Sequence, residues 1–104
     1  MKRFSYKMKL LPGNEAVYQQ RHDAIWPVLK DLLKAAGIKN YSIFLDSETL
    51  VLFAYLEAPD EKFIDELSLQ PVMKKWWQFM KDIMETNADG SPVSIPLKEV
   101  FYLS

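Results

Sequence analysis

Residues 38–57 read IKNYSIFLDSETLVLFAYLE, and the architecture is set by this stretch. Ile38–Asp46 reads as one strand and Leu50–Glu57 as the next. Asp46-Ser47-Glu48-Thr49 joins them, residue types that favour turns because their side chains bond the nearby backbone. Leu50 to Leu56 is apolar without alternation. A strand of that kind is covered on both faces or sits centrally in its sheet.

Upstream of the hairpin, Glu15 to about Ala36 carries Tyr18, His22, Ile25, Trp26, Leu29, Leu32 and Leu33 at helical spacing. Asn14 is placed to cap its start and Gly37 its end. Pro27 lies inside and predicts a kink near Trp26, since it removes a backbone donor. Before the helix, Arg3–Leu11 alternates strictly: Phe4, Tyr6, Met8 and Leu10 against Arg3, Ser5, Lys7 and Lys9. That is a half-buried strand, ended by Pro12-Gly13-Asn14.

Downstream, Asp60 opens a short helix to about Leu67, and Pro71 opens another over Val72 to about Met84. Asn87–Pro96 is a polar loop, and Leu97–Leu103 reads as the last strand. The order β-α-β-β-α-β predicts an α+β, ferredoxin-like sandwich, a single domain over residues 1–104 with helices on one face of a four-stranded antiparallel sheet. The other sheet face is not polar enough to stand in water. Pairing of two sheets would cover it, which predicts a homodimer.

The formal net charge is -1, with acids and bases interspersed. No Lys/Arg run marks a nucleic-acid surface. There is no cysteine, which removes disulfides, thiolate metal sites and Cys nucleophiles. No apolar run is long enough to span a membrane, and the N-terminal residues lack the pattern of a signal peptide. A soluble, intracellular protein is expected.

Tyr18, His22 and Trp26 are spaced four apart, so a continuous helix sets them on one stripe. His22 is the only histidine. An imidazole titrates nearest neutrality and suits general acid–base work, although a histidine at a core edge is equally common. One His without Cys does not build a metal site. Tyr18 offers a phenol to a ligand, or simply a wet tip on a helix face. Tyr41 lies near a strand start, where pattern alone favours ordinary sheet packing. Trp76 and Trp77 point about 100° apart on a helix whose apolar arc is broad enough for both indoles to serve the core; two side by side are costly to pack fully, so one is expected at the rim of a cleft. Such a ring, beside phenols and few charges, suits a neutral polar ligand. No phosphate-cradling glycine loop and no nucleophile-elbow motif occurs. The residues reach a dimeric α+β domain with an aromatic pocket and one proton-transfer group, and no named substrate.

YQQRHDAIWPVL (18–29), GIKNYSIFLD (37–46), LFAYLE (52–57), WWQFMKDIM (76–84) and SPVSIPLKEVFYL (91–103) together resemble the L-rhamnose mutarotases over nearly the whole chain. The resemblance implies a cytoplasmic, cofactor-free dimeric α/β barrel that interconverts the α and β anomers of L-rhamnose in its catabolism. It implies His22 as proton donor and Tyr18, Tyr41, Trp76 and Trp77 as sugar contacts. Two rival readings of the same residues are a small haem-degrading oxygenase and a non-catalytic sugar-binding or regulatory module.

Overall fold

The computed structural model describes residues 1–104. In chain order the elements are β1 (Lys2–Lys9), α1 (Glu15–Asp23), α2 (Pro27–Ala35), β2 (Lys39–Asp46), β3 (Val51–Ala58), α3 (Glu61–Leu67), α4 (Pro71–Met80) and β4 (Ile95–Leu97). The strands form one antiparallel sheet in the order β2-β3-β1-β4, with the helices against one face: the ferredoxin-like α+β arrangement. β3 takes the central position that its unbroken apolar run predicts, with Leu52, Ala54, Leu56 and Ala58 buried under the helices. Burial of a leucine such as Leu52 is worth roughly 1.5–3 kcal/mol.

The hairpin closes where expected. Asp46 accepts from the Glu48 amide and the Thr49 hydroxyl, and the Leu50 amide bonds the Asp46 carbonyl at 2.8 Å. Further along β2, a bulge between Lys39 and Ser42, with Asn40 at φ 50°, interrupts the pairing beside Tyr41. Bulges of this kind re-aim side chains.

Four expectations are corrected. The predicted helix over 15–36 is two helices. Pro27 is the first residue of α2, where its missing N–H costs nothing, and the preceding Trp26 is extended (φ -57°, ψ 129°) as proline requires of its neighbour. Trp26 is therefore off the Tyr18–His22 stripe. Asn14 precedes α1 but makes no side-chain cap; its amide donates instead to the Leu11 and Pro12 carbonyls, tightening the turn. Helix α4 ends at Met80 rather than Met84, and Met84 forms a bridge to Leu10.

The fourth correction is the last strand, which spans only Ile95–Leu97. Beyond it Glu99 turns to the Arg3 guanidinium (2.9 and 3.0 Å), and the Tyr102 ring lies 3.5 Å from the same cation. Val100 and Phe101 are 87% and 78% exposed, because no neighbouring surface of the chain covers them.

The remaining caps follow the sequence. Asp60 accepts from the Lys62 amide, Pro71 occupies the first turn of α4, and Gly37 takes φ +83° after α2. The backbone angle is what favours glycine there; a Cβ would also sit tightly, 3.1 Å from the Pro59 side chain.

Candidate active site

A cavity of about 800 Å³ opens between the helix-facing side of the sheet and helices α1, α2 and α4. Tyr18, His22, Tyr41, Trp76 and Trp77 all line it. Three different elements thus bring the five sequence candidates to one place. Most of the remaining wall is apolar, including Met8, Leu29, Ile43, Met73 and Met80.

Tyr18 and His22 meet because they are one turn apart on α1. Their rings stack with centroids 4.3 Å apart. The edge of Trp76 meets the His22 ring at 5.5 Å, and Trp26 in turn packs edge-on against Trp76 at 5.1 Å. Trp76 is buried in the core, whereas Trp77 is half-buried. The two adjacent indoles therefore divide, Trp76 in the core and Trp77 facing the cavity more openly, because two such rings side by side are costly to bury together. Tyr41 points inward with Ile43 and Leu45 from β2 while leaving 43% of its surface exposed.

The His22 ring is oriented by its own helix: Nδ1 lies 3.0 Å from the Tyr18 carbonyl oxygen. A carbonyl only accepts, so Nδ1 carries the proton and donates, and Nε2 keeps its lone pair without a protein partner. Burial pulls the imidazole pKa below its ordinary 6.5, opposed by the bond to the Tyr18 carbonyl and by Asp23. Burial pushes the Tyr18 phenol strongly upward, with Tyr41 adding to it. Tyr41 is raised for the same first reason, with Tyr6 adding. At neutral pH the site thus holds a neutral imidazole with a free basic nitrogen and two protonated phenols.

Glu15 and Asp23 are the charged residues in the wall, and no Lys or Arg lines it. Nothing there would neutralise a phosphate or carboxylate. Nowhere do three or more His, Asp or Glu side chains gather to hold a metal ion.

Several lining residues carried no site signal. Met8 reads only as an apolar position of an alternating strand and Ile43 only as a residue of the second strand, and Pro92 comes from a loop whose path the sequence does not specify. Gln19 and Asp23 join the rim because α1 turns that side toward the opening.

The fold and site define a small α+β domain with an apolar, aromatic pocket and a single histidine on its wall. The fold is shared with an antibiotic biosynthesis monooxygenase at 12% identity and a TM-score of 0.53, over 96% of this chain and 99% of that one; such a likeness speaks for fold alone. The profile of the L-rhamnose mutarotase family matches residues 3–103. The L-rhamnose mutarotase of Rhizobium meliloti (strain 1021) is 52% identical over 103 residues, 99% of both chains. The crystal structure of the L-rhamnose mutarotase of Formosa agariphila superposes with a TM-score of 0.92 at 49% identity, covering 100% of each chain. The chain belongs to the L-rhamnose mutarotase family.

Proposed function

We propose that this chain interconverts the α and β anomers of L-rhamnose as an isomerase, with His22 moving the proton. The observation that carries the role of His22 is the Nδ1 bond to the Tyr18 carbonyl, which leaves Nε2 as a base on the cavity wall. Nε2 takes the proton of the anomeric hydroxyl while the C1–O5 bond breaks. The imidazolium so formed returns that proton to O5, giving the open-chain aldehyde. After rotation about C1–C2 the same two transfers run backwards on the other face of the carbonyl. Protons balance over the cycle, and such acid–base help is worth about 10²- to 10⁴-fold.

The aromatic groups position the sugar. Trp76 and Trp77 present apolar surface to the C–H face and the C6 methyl of a 6-deoxy sugar. The phenols of Tyr18 and Tyr41, protonated at neutral pH, donate to sugar hydroxyls. The absence of Lys and Arg from the wall favours a free sugar over a sugar phosphate.

The whole chain acts as one mutarotase domain, and two copies pair through the sheet face turned away from the helices. Phe44, Phe53, Ile95 and Leu97 on that face support the pairing, all of them exposed in a single copy. The cysteine-free sequence supports action in the cytoplasm.

Saturation-transfer proton NMR on equilibrated L-rhamnose tests the reaction. Irradiating one anomeric proton should deplete the other in the presence of wild type, and not with folded His22→Ala. Exchange at the buffer rate with wild type overturns the reading; tryptophan quenching by the sugar would then leave a binding module.

A further inference from the structure

Helix α1 carries Tyr18 and His22, yet little holds it in place. Of its nine residues only Tyr18 is buried. Beside it only the half-buried Val17 and the His22 ring itself pack inward, a narrow hold on the rotation of a helix, and a misplacement of about 1 Å can cost a catalytic group about 100-fold. Arg21, the neighbour of His22, supplies a constraint. Its Nη1 donates to the Phe79 carbonyl oxygen at 2.8 Å and to Asp82 Oδ1 at 2.9 Å, and its Nη2 donates to Asp82 Oδ2 at 3.2 Å. The guanidinium carbon lies 4.5 Å from the centroid of the Phe79 ring.

Phe79 belongs to the last turn of α4, where carbonyls have no partner inside the helix. The Arg21 fork satisfies one of them and so ties the last turn of α1 to the last turn of α4. These are the two helices that bring His22 and Trp76 within 5.5 Å. Asp82 is exposed, and the charge attraction of such a pair is worth little by itself. What the bidentate fork supplies is direction.

We propose that Arg21 is a positioning residue for the proton transfer: through Asp82 and the Phe79 carbonyl it locks α1 against α4 and holds the His22 imidazole on the cavity wall. The inference rests on the reading of His22 as the proton-transfer group. Arg21 does not line the cavity.

The test compares wild type with Arg21→Gln, Asp82→Ala and Arg21→Lys, by anomer exchange and by NMR titration of the His22 ring. His22 is the only histidine, so its C2–H signal is unambiguous. The other ionisable groups lining the cavity, Glu15, Asp23, Tyr18 and Tyr41, are unchanged in all variants. Arg21→Gln and Asp82→Ala should each lower kcat by about 10- to 100-fold with a much smaller change in KM. Both should move the His22 titration up toward 6.5, because a loosened α1 lets water reach the ring. Arg21→Lys keeps the charge without the fork and should recover part of kcat.

Simple charge effects would move the titration in opposite directions, since one variant removes a cation and the other an anion. Opposite shifts, or a folded Arg21→Gln with wild-type kcat and titration, overturn the proposal. If Arg21→Gln does not fold, Asp82→Ala, which leaves the Phe79 bond in place, carries the same test. Wild type that fails to exchange anomers overturns the His22 reading instead, and the titration still reports on Arg21.

Discussion

On β3, Leu52, Ala54, Leu56 and Ala58 are buried under the helices, while Val51, Phe53, Tyr55 and Glu57, one residue out of phase, look the other way. The inner row is finished within one chain: it forms the floor of two apolar clusters and lies beside the cavity. The outer row is not. Register places Phe44, Phe53, Lys7 and Ile95 side by side across all four strands, and Phe44 is 66% exposed and Phe53 39%. The same strand therefore carries a completed packing problem on one face and an open one on the other. The proposed chemistry falls on the completed face, where a catalytic group is held by packed surroundings and where the five candidate side chains share one cavity.

The contrast can be broken or sharpened by substitution. Trp76→Ala should have the largest effect, about 3–5 kcal/mol of stability, because its indole is buried between α1 and the sheet. Trp77→Ala, on the half-buried ring, should instead weaken sugar binding in a fluorescence or NMR titration and leave urea denaturation nearly unchanged. Equal stability losses would erase the division between the two indoles.

Leu52→Ala should cost about 2–5 kcal/mol by urea denaturation, whatever the protein concentration. Its neighbour Phe53→Ala should show a cost that grows with protein concentration, as burial against a second copy demands. Phe53→Asp should halve the mass seen by light scattering and leave the circular dichroism of the fold intact. A wild type already monomeric at micromolar concentration would remove the outer face from the argument.

The mildest probe is pH. The proposed mechanism needs His22 neutral to act as a base, and burial holds its pKa under 6.5. The rate should be flat from neutrality down to that value, then fall about tenfold per unit below it. The phenol pKa values of Tyr18 and Tyr41 are raised, so neither should introduce a limb on the alkaline side below about pH 10. A rate that rises as pH falls from 7 to 6 would mean that the imidazolium is the working form at rest.

Much of this was legible beforehand, for reasons that differ by element. The alternation in β1 survives intact: Phe4, Tyr6 and Met8 share the inner side with Leu52, Ala54 and Leu56, because period-two patterning is a direct record of which face is wet. Pro71 opens a helix as predicted, whereas Pro27, predicted to kink one helix, opens a second. A proline fits an interior kink or a first turn, and helical periodicity runs on through either. The break at Trp26 takes its ring off the His22 stripe and into contact with Trp76. The strand predicted over Leu97–Leu103 is not formed past Leu97, where pairing with β1 ends; beyond it Glu99 and Tyr102 meet Arg3 through side chains and Val100 and Phe101 stay exposed.

By itself the sequence determined element types, strand faces, the βαββαβ order and, through resemblance, the family. These depend on local periodicity, turn chemistry and motif spacing. Only the tertiary structure decided that Tyr41 from a bulged strand, His22 from α1 and the indoles from α4 line one cavity. It also decided which nitrogen of His22 is free and that Arg21 reaches Phe79 and Asp82, 58 and 61 residues away. Those facts rest on distances between segments remote in the chain, and such distances are set by how the layers pack.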